Sequence, residues 1–399
     1  MFNREMMNVL FYILLLVQLC LMLQLLMPLF LFILSLFKNR RNNQDVRALS
    51  SPDYAIIVTA YQQTEQLPDV VDSILKLNYD NYLVYVVADN CDVSALNFNS
   101  NKVILLRPPE TLASNIKSHF YAIRNFRRHH ELLTIIDSDN LVDEEYLNEL
   151  NVFFDNGYEA VQGVRKAKNL DTRYACLDEA GDIYYRLIDR KLLFEAGSSA
   201  ALSGSGMAFN TDLYRQCLEK EELAGAGFDK LLQYQLLIRD TTIAFAEHAI
   251  VYDEKTSRTN QLVKQRSRWI NTWFKFAYLG LKMLFSSIFP PNLNRFLFSL
   301  MLLRLPLFLL LGLSFICLVV DVLVNPWLAV GWVCVFLVFV IFFVYSLIYF
   351  KADSRIFRSL LSAPRFVFFQ VLALLTSRKA NRISVATEHY HGGKQAEIK

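Results

Sequence analysis

The stretch LLTIIDSDNLVDEEYL, residues 132–147, decides the fold prediction because its apolar strand ends on two carboxylates and then leads into a helix. Asp137 and Asp139 stand one residue apart at the carboxyl end of that strand. In open sheets of parallel strands, ligands bind beyond the carboxyl ends. The pair either caps the next helix or belongs to a ligand site. The ligand site is favoured, because Asp143–Glu145 already serve the helix start.

The residues upstream alternate between apolar strands and helices. YAIIVTAY from Tyr54, YLVYVVADN and KVILLR read as strands, and PDVVDSILKLN and TLASNIKSHFYAIRNFRR read as helices. This alternation predicts an α/β domain whose largely parallel sheet is covered on both faces. Thr59, Tyr61 and Asp89 also fall at strand carboxyl ends, which favours a site at that edge.

Three apolar runs are long enough to cross a bilayer: Val9–Phe37, Leu305–Val324 and Trp327–Phe350. The first is predicted to be a transmembrane helix rather than a signal peptide, because it lacks the small-residue cleavage site of a signal peptide. This helix is expected to kink or end at Pro28. The other two form a predicted hairpin. The shorter run Arg365–Thr376 is typical of an interfacial helix.

Basic residues flank these runs and predict the orientation. They are Lys38, Arg40 and Arg41 after the first run, Lys275, Lys282 and Arg295 before the hairpin, and Lys351, Arg355 and Arg358 after it. By the positive-inside rule, the chain is an integral protein of the inner or plasma membrane, with residues 38–295 and the tail in the cytosol and the N-terminus outside. Basic residues beside membrane segments suit membrane lipid, not nucleic acid. For Arg304, snorkelling to the interface is favoured over a role in a membrane pathway.

The predicted organisation follows from these segments. It comprises an N-terminal transmembrane helix and basic linker (1–45), a cytosolic domain (46–275), an interfacial helix (276–295), a transmembrane hairpin (296–350), and an interfacial helix with a basic tail (351–399). The six cysteines show no paired short spacing, so neither disulfides nor a zinc site are expected.

Two carboxylates at a strand end suit a nucleoside diphosphate ligand. Its phosphates repel nearby carboxylates, and a hard divalent cation resolves the conflict by taking oxygen ligands from both. Asp137 would then face the ribose and Asp139 would bind Mg²⁺ or Mn²⁺.

Two downstream segments allow both a structural and a functional interpretation. Gly204 and Gly206 in LSGSGMAFN form either a plain tight turn or a place where a bulky ligand approaches the backbone. Asp229 in GAGFDKLLQYQLL is either a helix cap, which the local sequence favours, or a general base.

The segment VKQRSRWINTWFKF also allows both a structural and a functional interpretation. Its arginines and tryptophans are either membrane-interface anchors or a binding site. In a site, Arg268 would neutralise a diphosphate leaving group and Trp269 would stack on a sugar ring.

Taken in order, Asp89, Asp137-Ser138-Asp139, Asp229 and Gln265-Arg266-Ser267-Arg268-Trp269 resemble the D, DxD, (E)D and QxxRW motifs of membrane-bound glycosyltransferase family 2, the group of the cellulose, chitin and hyaluronan synthases. The resemblance covers roughly residues 50–275. It implies a GT-A fold, a UDP-sugar donor, a divalent metal and inversion at the anomeric carbon.

The resemblance also implies a role for each motif residue. Asp89 would contact the uracil or ribose, Asp137 the nucleotide and Asp139 the metal. The strand-end positions of Thr59 and Tyr61, rather than a family motif, place these two residues on the same nucleotide-sugar side. Asp229 would be the catalytic base. Arg268 would bind the diphosphate, and Gln265, Trp269, Gly204 and Gly206 would lie on the acceptor side.

Two positions depart from the family pattern. Phe228 precedes Asp229 where the family has a carboxylate, and the early loop reads TAYQQTE. Both weaken any transfer of acceptor identity.

The expected activity is transfer of a sugar to a growing polysaccharide or glycan at the cytosolic face. Transfer of one sugar to a lipid-linked acceptor is the alternative, favoured by the small number of spans. Three helices make a thin wall for a polymer channel, which would need a homo-oligomer or an export partner. A silent nucleotide-sugar-binding subunit is disfavoured because the four aspartates Asp89, Asp137, Asp139 and Asp229 are all present.

Overall fold

The structure is a computed structural model that describes residues 2–38, 50–223 and 225–376. The predicted linker residues Arg40 and Arg41 and the predicted basic tail from residue 377 lie outside the described residues. The strands are β1 Tyr54–Tyr61, β2 Tyr82–Asp89, β3 Val103–Leu106, β4 Leu132–Asp137, β5 Leu141–Val142, β6 Ala160–Ala167, β7 Met207–Asn210 and β8 Ile243–Asp253.

The helices fall into a set that precedes β8 along the chain and a set that follows it. The first set is α1 Phe2–Lys38, α2 Leu67–Leu75, α3 Asn115–Arg124, α4 Tyr146–Asp155, α5 Arg173–Tyr185, α6 Leu193–Glu195, α7 Thr211–Leu218 and α8 Phe228–Leu237, with a π-helical segment Arg186–Leu192 between α5 and α6. The second set is α9 Thr259–Ser286, α10 Leu293–Leu303, α11 Leu307–Val324, α12 Pro326–Tyr349, α13 Ser354–Ser359 and α14 Ala363–Thr376.

The first half of the sheet matches the sequence-based prediction. β1 and β2 coincide with the apolar segments from Tyr54 and Tyr82, and β1, β2, β3 and β4 pair in parallel. Every residue of β1 from Tyr54 to Val58 is buried, as expected for a strand covered on both faces. The α/β prediction is confirmed for this half.

The second half of the sheet contains both parallel and antiparallel strand pairs, whereas the sequence predicted a largely parallel sheet. The strand order is β3-β2-β1-β4-β7-β6-β8-β5, and β7 runs antiparallel to both β4 and β6. Strand β7 has only four residues, which is too short for a hydrophobic pattern to predict it, and its direction is set by its pairing with β4 and β6. The Gly206 amide donates to the Ile135 carbonyl at 2.9 Å just before β7 begins.

Three helices of the described part are long and apolar enough to cross a membrane, within α1, α11 and α12. They correspond to the three predicted spans. Helix α1 does not end at Pro28, because it continues to Lys38. The loop between α11 and α12 is the single residue Asn325, whose side chain accepts a hydrogen bond from the Leu328 amide at 3.4 Å and so caps α12.

A carboxyl group joins these three helices. Asp321 of α11 is 3% exposed and accepts hydrogen bonds from the Gln18 amide of α1 at 3.3 Å and from the Trp332 indole of α12 at 3.0 Å. Polar groups that are buried among apolar helices are stabilised when they pair with one another. The three spans are therefore linked by side-chain hydrogen bonds as well as by packing.

The predicted boundary at residue 275 falls inside α9, which runs without interruption to Ser286. No helix begins at 276, and α10 precedes the first span of the hairpin. The predicted interfacial helix near Arg365 corresponds to α14, in which Phe366 is 7% exposed and the Phe369 ring lies 5.9 Å from that of Tyr174. Helix α14 thus packs against the domain, and its place relative to a membrane interface stays a prediction.

The position of Arg304 contradicts the sequence-based prediction that its side chain snorkels to the membrane interface. It follows α10, is 9% exposed, and forms an ion pair of 2.7 Å with Asp189 of the π-helical segment. Its guanidinium also lies 5.5 Å from the Tyr185 ring centre. The side chain therefore turns into the domain, because a carboxylate there compensates its charge.

The charge-based orientation is tested by cysteine labelling in a background without the six native cysteines. We expect an impermeant thiol reagent to modify Asn325→Cys in intact cells, because residue 325 lies between two candidate spans on the side predicted to be external, and to miss Asp171→Cys until the cells are permeabilised. Labelling of residue 171 but not of residue 325 in intact cells would overturn the orientation.

Candidate active site

A cleft of about 640 Å³ opens at the carboxyl ends of β1, β2 and β4. Thr59 of β1 pairs in register with Asp137 of β4, and Tyr61 pairs with Asp89 of β2. Parallel strands in register end along one edge, so these four side chains meet there. All four line the cleft, and Asp139 lines it too.

Asp89 shapes the wall of the cleft. It is 2% exposed, and its two carboxylate oxygens accept hydrogen bonds from the amides of Leu112 at 2.8 Å and Ala113 at 2.7 Å. Ala113 has a φ of +46°, a conformation that residues with a side chain rarely adopt. Asp89 therefore stabilises a strained loop beside the cleft, in addition to any contact with a ligand.

The capping alternative for Asp137 and Asp139 does not hold. Helix α4 begins at Tyr146, and its N-cap residue Glu145 makes no side-chain capping hydrogen bond. Both aspartates lie well before that position. Their placement at the cleft is therefore explained by the end of β4 rather than by the helix.

The two aspartates fit a hard divalent cation. Among the residues that the structure describes, no three acidic, histidine or cysteine side chains form a closed metal site. Mg²⁺ and Mn²⁺ at nucleotide sites use one or two protein carboxylates and take their other oxygen ligands from phosphate and water. Asp139, with Asp137 beside it, provides that kind of open donor set.

Asp229 is not the cap of its helix, although the local sequence favours that role. The N-cap of α8 is Gly227, with a φ of +105°, and Asp229 lies in the first turn. A Cβ at residue 227 would come within 2.4 Å of the Phe276 ring, so this turn requires glycine. The Asp229 side chain is 19% exposed, lines the cleft, and lies 3.6 Å from the Lys230 ammonium.

The QRSRW motif begins at the end of the second turn of α9 and fills the third, and Gln265, Arg266, Arg268 and Trp269 all line the cleft. Burial lowers the pKa of Arg268. Trp269 is 39% exposed, which leaves part of its ring accessible. The helix therefore presents a cation and a flat aromatic surface to the same space.

Asp178 of α5 fixes the position of this motif. Its carboxylate pairs with Arg266 and accepts a hydrogen bond of 2.9 Å from the Thr256 hydroxyl. The same hydroxyl lies 2.9 Å from the side-chain oxygen of Gln265. Arg266 in turn stacks on Trp269, with 4.2 Å between the guanidinium and the ring centre. The orientation of the motif thus depends on one buried carboxylate outside it.

A buried ionic cluster forms the floor of the cleft. Lys255 is 2% exposed and pairs with Glu179 at 3.0 Å, with Asp253 at 3.0 Å and with Asp182. Arg165 pairs with Asp253. Burial opposes the charge on Lys255, but the attraction of Asp182 and Asp253 raises its pKa overall. The charges are therefore retained because they compensate one another.

Ten of the predicted site residues line this cleft and one does not. The ten are Thr59, Tyr61, Asp89, Asp137, Asp139, Gly204, Asp229, Gln265, Arg268 and Trp269. Gly206 lies behind the wall. Its φ is +66°, and a Cβ there would come within 2.9 Å of Val251. Close packing between strands, not ligand approach, explains that glycine.

Sequence reasoning missed several charged residues of the cleft. Asp253 could have been found, because it ends the apolar strand β8 just as Asp137 ends β4. Asp182 and Arg190 also line the cleft but lie on helical segments without a recognisable motif. Only the packing of α5 and the π-helical segment against the sheet brings them there.

The family described as "Glycosyltransferase like family 2" matches residues 52–272. No curated protein sequence matches the chain. Among solved structures, the mannosyltransferase PcManGT from Pyrobaculum calidifontis, in complex with GDP-Man and Mn²⁺, is similar with a TM-score of 0.58 at 14% identity, over 91% of this chain and 99% of that one. The fragment 1–349 of S. aureus TarS in complex with UDP-GlcNAc reaches a TM-score of 0.41 at 14% identity, over 58% of this chain and 66% of that one.

These similarities differ in what they show. The first solved structure shares the fold, and at this identity it shows the fold alone. The second is too distant to add to that. Together with the family match, the shared fold confirms the predicted GT-A type of α/β domain with flanking apolar helices.

Removal of the Asp178 carboxylate tests its structural importance. We expect Asp178→Ala to lower the free energy of unfolding by about 3–5 kcal/mol, because Arg266 would stay buried without its partner. As a control, Glu219→Ala removes the exposed pair with Arg215, whose side chains are 43% and 46% exposed, and should cost less than about 1 kcal/mol. Urea unfolding of the detergent-solubilised protein measures both. Equal effects would contradict the assignment.

Proposed function

Since the chain belongs to glycosyltransferase-like family 2, which matches more than half of its residues, we propose that it is an inverting glycosyltransferase of the membrane that uses a UDP-sugar. The observation that carries this proposal is the cleft itself. Carboxylates from the ends of β2 and β4, Asp229, and the arginine and tryptophan of α9 all line one space. Their order along the chain is that of the family motifs.

The donor occupies the half of the cleft beside the strand ends. Asp137 accepts hydrogen bonds from the ribose, and Asp89, Thr59 and Tyr61 border the base and ribose. The mannosyltransferase of similar fold is bound to GDP-Man, so the choice of uracil over guanine needs direct measurement. A panel of UDP- and GDP-sugars, scored by nucleotide release, makes that comparison.

Asp139 binds the divalent cation, Mg²⁺ or Mn²⁺, with Asp137 beside it. When bound, the cation neutralises the diphosphate of the donor and so makes it a better leaving group. Arg268 contributes a second positive charge at the same end of the donor. Its partial burial strengthens the interaction, because charges attract more strongly where water is excluded.

The acceptor occupies the half of the cleft between α8 and α9. Asp229 accepts the proton of the acceptor hydroxyl, whose oxygen attacks the anomeric carbon on the face opposite the diphosphate. The bond between that carbon and the diphosphate oxygen breaks, and the electron pair leaves with UDP. Trp269 stacks on the acceptor, while Gln265 and Gly204 border it.

The flanking helices support a location in the inner or plasma membrane, with the cleft on the cytosolic side. The acceptor is a growing polysaccharide or glycan, or a lipid-linked molecule, that reaches the cleft from the membrane surface. A polymer would need further copies of the chain or an export partner to cross, since three candidate spans are few for the wall of a polymer channel.

The metal assignment predicts the behaviour of Asp139→Asn. We expect this variant to lose the increase in UDP affinity that Mn²⁺ produces, because it removes a charged oxygen ligand from a cation with few protein ligands. Calorimetric titration of UDP with and without Mn²⁺ measures the effect. Asp212→Asn, an exposed change in the first turn of α7, is the control. Unchanged metal dependence in Asp139→Asn would refute the assignment.

The base assignment predicts a separate result for Asp229→Asn. Asparagine cannot accept the proton, so nucleotide release from the donor should slow by at least about 100-fold. UDP affinity in the presence of Mn²⁺ should be unchanged, because the proposed base faces the acceptor. A variant that keeps more than about a tenth of the parental turnover would exclude Asp229 as the base.

A further inference from the structure

The end of the cleft nearest the candidate spans is apolar. It is bordered by Leu302 of α10, by Leu307 and Phe308 at the start of α11, and by Trp273 and Phe276 of α9. Sugar hydroxyls require hydrogen-bond partners, and aliphatic side chains offer none. The same cleft that carries the polar motif residues therefore continues along surfaces suited to a hydrocarbon chain.

Two cations lie where the polar and apolar parts meet. Arg304 lies between Leu302 and Leu307 in the sequence, and its Nη2 pairs with Asp189 while its Nη1 is buried without a hydrogen-bond partner in the described part of the chain. Arg190 follows Asp189, and its Nε donates to the Ala201 carbonyl at 3.3 Å. Both arginines line the cleft.

Arg190 differs from its charged neighbours because it has no ion pair among the described residues. Arg165, Arg186 and Lys191 each pair with a carboxylate. Burial lowers the pKa of Arg190 to about 10, which leaves it protonated near neutral pH. Asp182 and Asp189 also attract its charge, but they form their ion pairs with Lys255 and Arg304. A partly buried cation that forms no ion pair of its own favours an anionic ligand.

From this arrangement we propose that the acceptor is a membrane lipid in which a phosphate joins the apolar chain to a hydroxylated head group. The phosphate contacts Arg190 and Arg304, and the chain lies along Leu302, Leu307 and Phe308 toward the first turn of α11. This inference rests on the proposed function, since it names the acceptor of that reaction.

Three features favour this occupant over a free polysaccharide. The apolar lining matches a hydrocarbon chain, the two arginines match a phosphate, and the lining continues into a helix long enough to cross a membrane. The proposed base Asp229 requires an acceptor that carries a proton on oxygen, which a head-group hydroxyl supplies.

The reaction then follows a balanced course. The head-group oxygen forms a bond to the anomeric carbon as the bond from that carbon to the nucleoside diphosphate breaks. The electron pair leaves with the diphosphate, and the hydroxyl proton passes to Asp229. The products are a glycosylated lipid and the nucleoside diphosphate.

Lipid binding is tested on the full-length protein in detergent by native mass spectrometry. The probes are phosphatidylglycerol, which has a phosphate and head-group hydroxyls, and diacylglycerol, which lacks the phosphate. We expect phosphatidylglycerol to bind more tightly, and its affinity to fall about tenfold or more in Arg190→Gln and in Leu307→Trp, which fills the apolar part. Arg190→Lys should recover part of the lost affinity.

Matched controls come from the same chain. Arg215→Gln changes an exposed arginine of α7, and Leu313→Trp changes a leucine of α11 that is 44% exposed outside the cleft. Neither should alter lipid affinity. Equal affinities in the parent, Arg190→Gln and Leu307→Trp would overturn the lipid site.

Turnover distinguishes this inference from the proposed function. Membranes containing the protein are incubated with labelled UDP- and GDP-sugars and extracted with organic solvent. Label in the organic phase that is lost in Leu307→Trp supports the lipid acceptor. Label found only in water-soluble polymer would overturn the lipid acceptor and leave sugar transfer intact. Absence of both nucleotide binding and nucleotide release would overturn the proposed function, and the acceptor role with it.

Discussion

The positive charge of Lys255, almost completely removed from water, is the constraint on which the rest of the domain depends. Burial of an unpaired ammonium costs several kcal/mol, so Glu179, Asp182 and Asp253 must converge on it. These partners belong to α5 and to the end of β8, and Asp253 links β8 to β6 through Arg165. The cluster therefore fixes α5 against the strand ends. Asp178, on the same helix, then sets the orientation of the QRSRW motif.

The sequence predicted the elements whose pattern is local. Strands β1 and β2 each contain eight residues that are predominantly apolar, and the three candidate spans are apolar runs. Because β1, β2 and β4 pair in parallel and in register, most of the residues predicted to bind the nucleotide lie together at the carboxyl ends of these strands. Antiparallel β7 was not predictable, because four residues carry no direction without their neighbours.

The same distinction explains the errors at the site. Gly206 and Gly204 look alike in sequence, but only the packing against Val251 reveals what Gly206 does. The Arg304 side chain was predicted to extend to the membrane interface. It points into the domain instead, because it pairs with Asp189, which lies more than a hundred residues earlier in the chain. Arg190 had no sequence signal, since its environment is created by a π-helical segment and by the loop that contains Ala201.

The hydrogen bonds of Asp321 to Gln18 and Trp332 have a consequence for biogenesis. An aspartate in an apolar helix opposes insertion by about 2.5–3.5 kcal/mol at the bilayer centre, and less toward the ends. Since α12 follows α11 after one residue, Trp332 can supply its indole as soon as the pair enters the membrane as a hairpin. Gln18 belongs to a helix that is synthesised before α11 and α12, so α1 is available when those two helices form. If these helices cross a membrane, the carboxyl group makes docking of α11 and α12 onto α1 a condition for their stable integration.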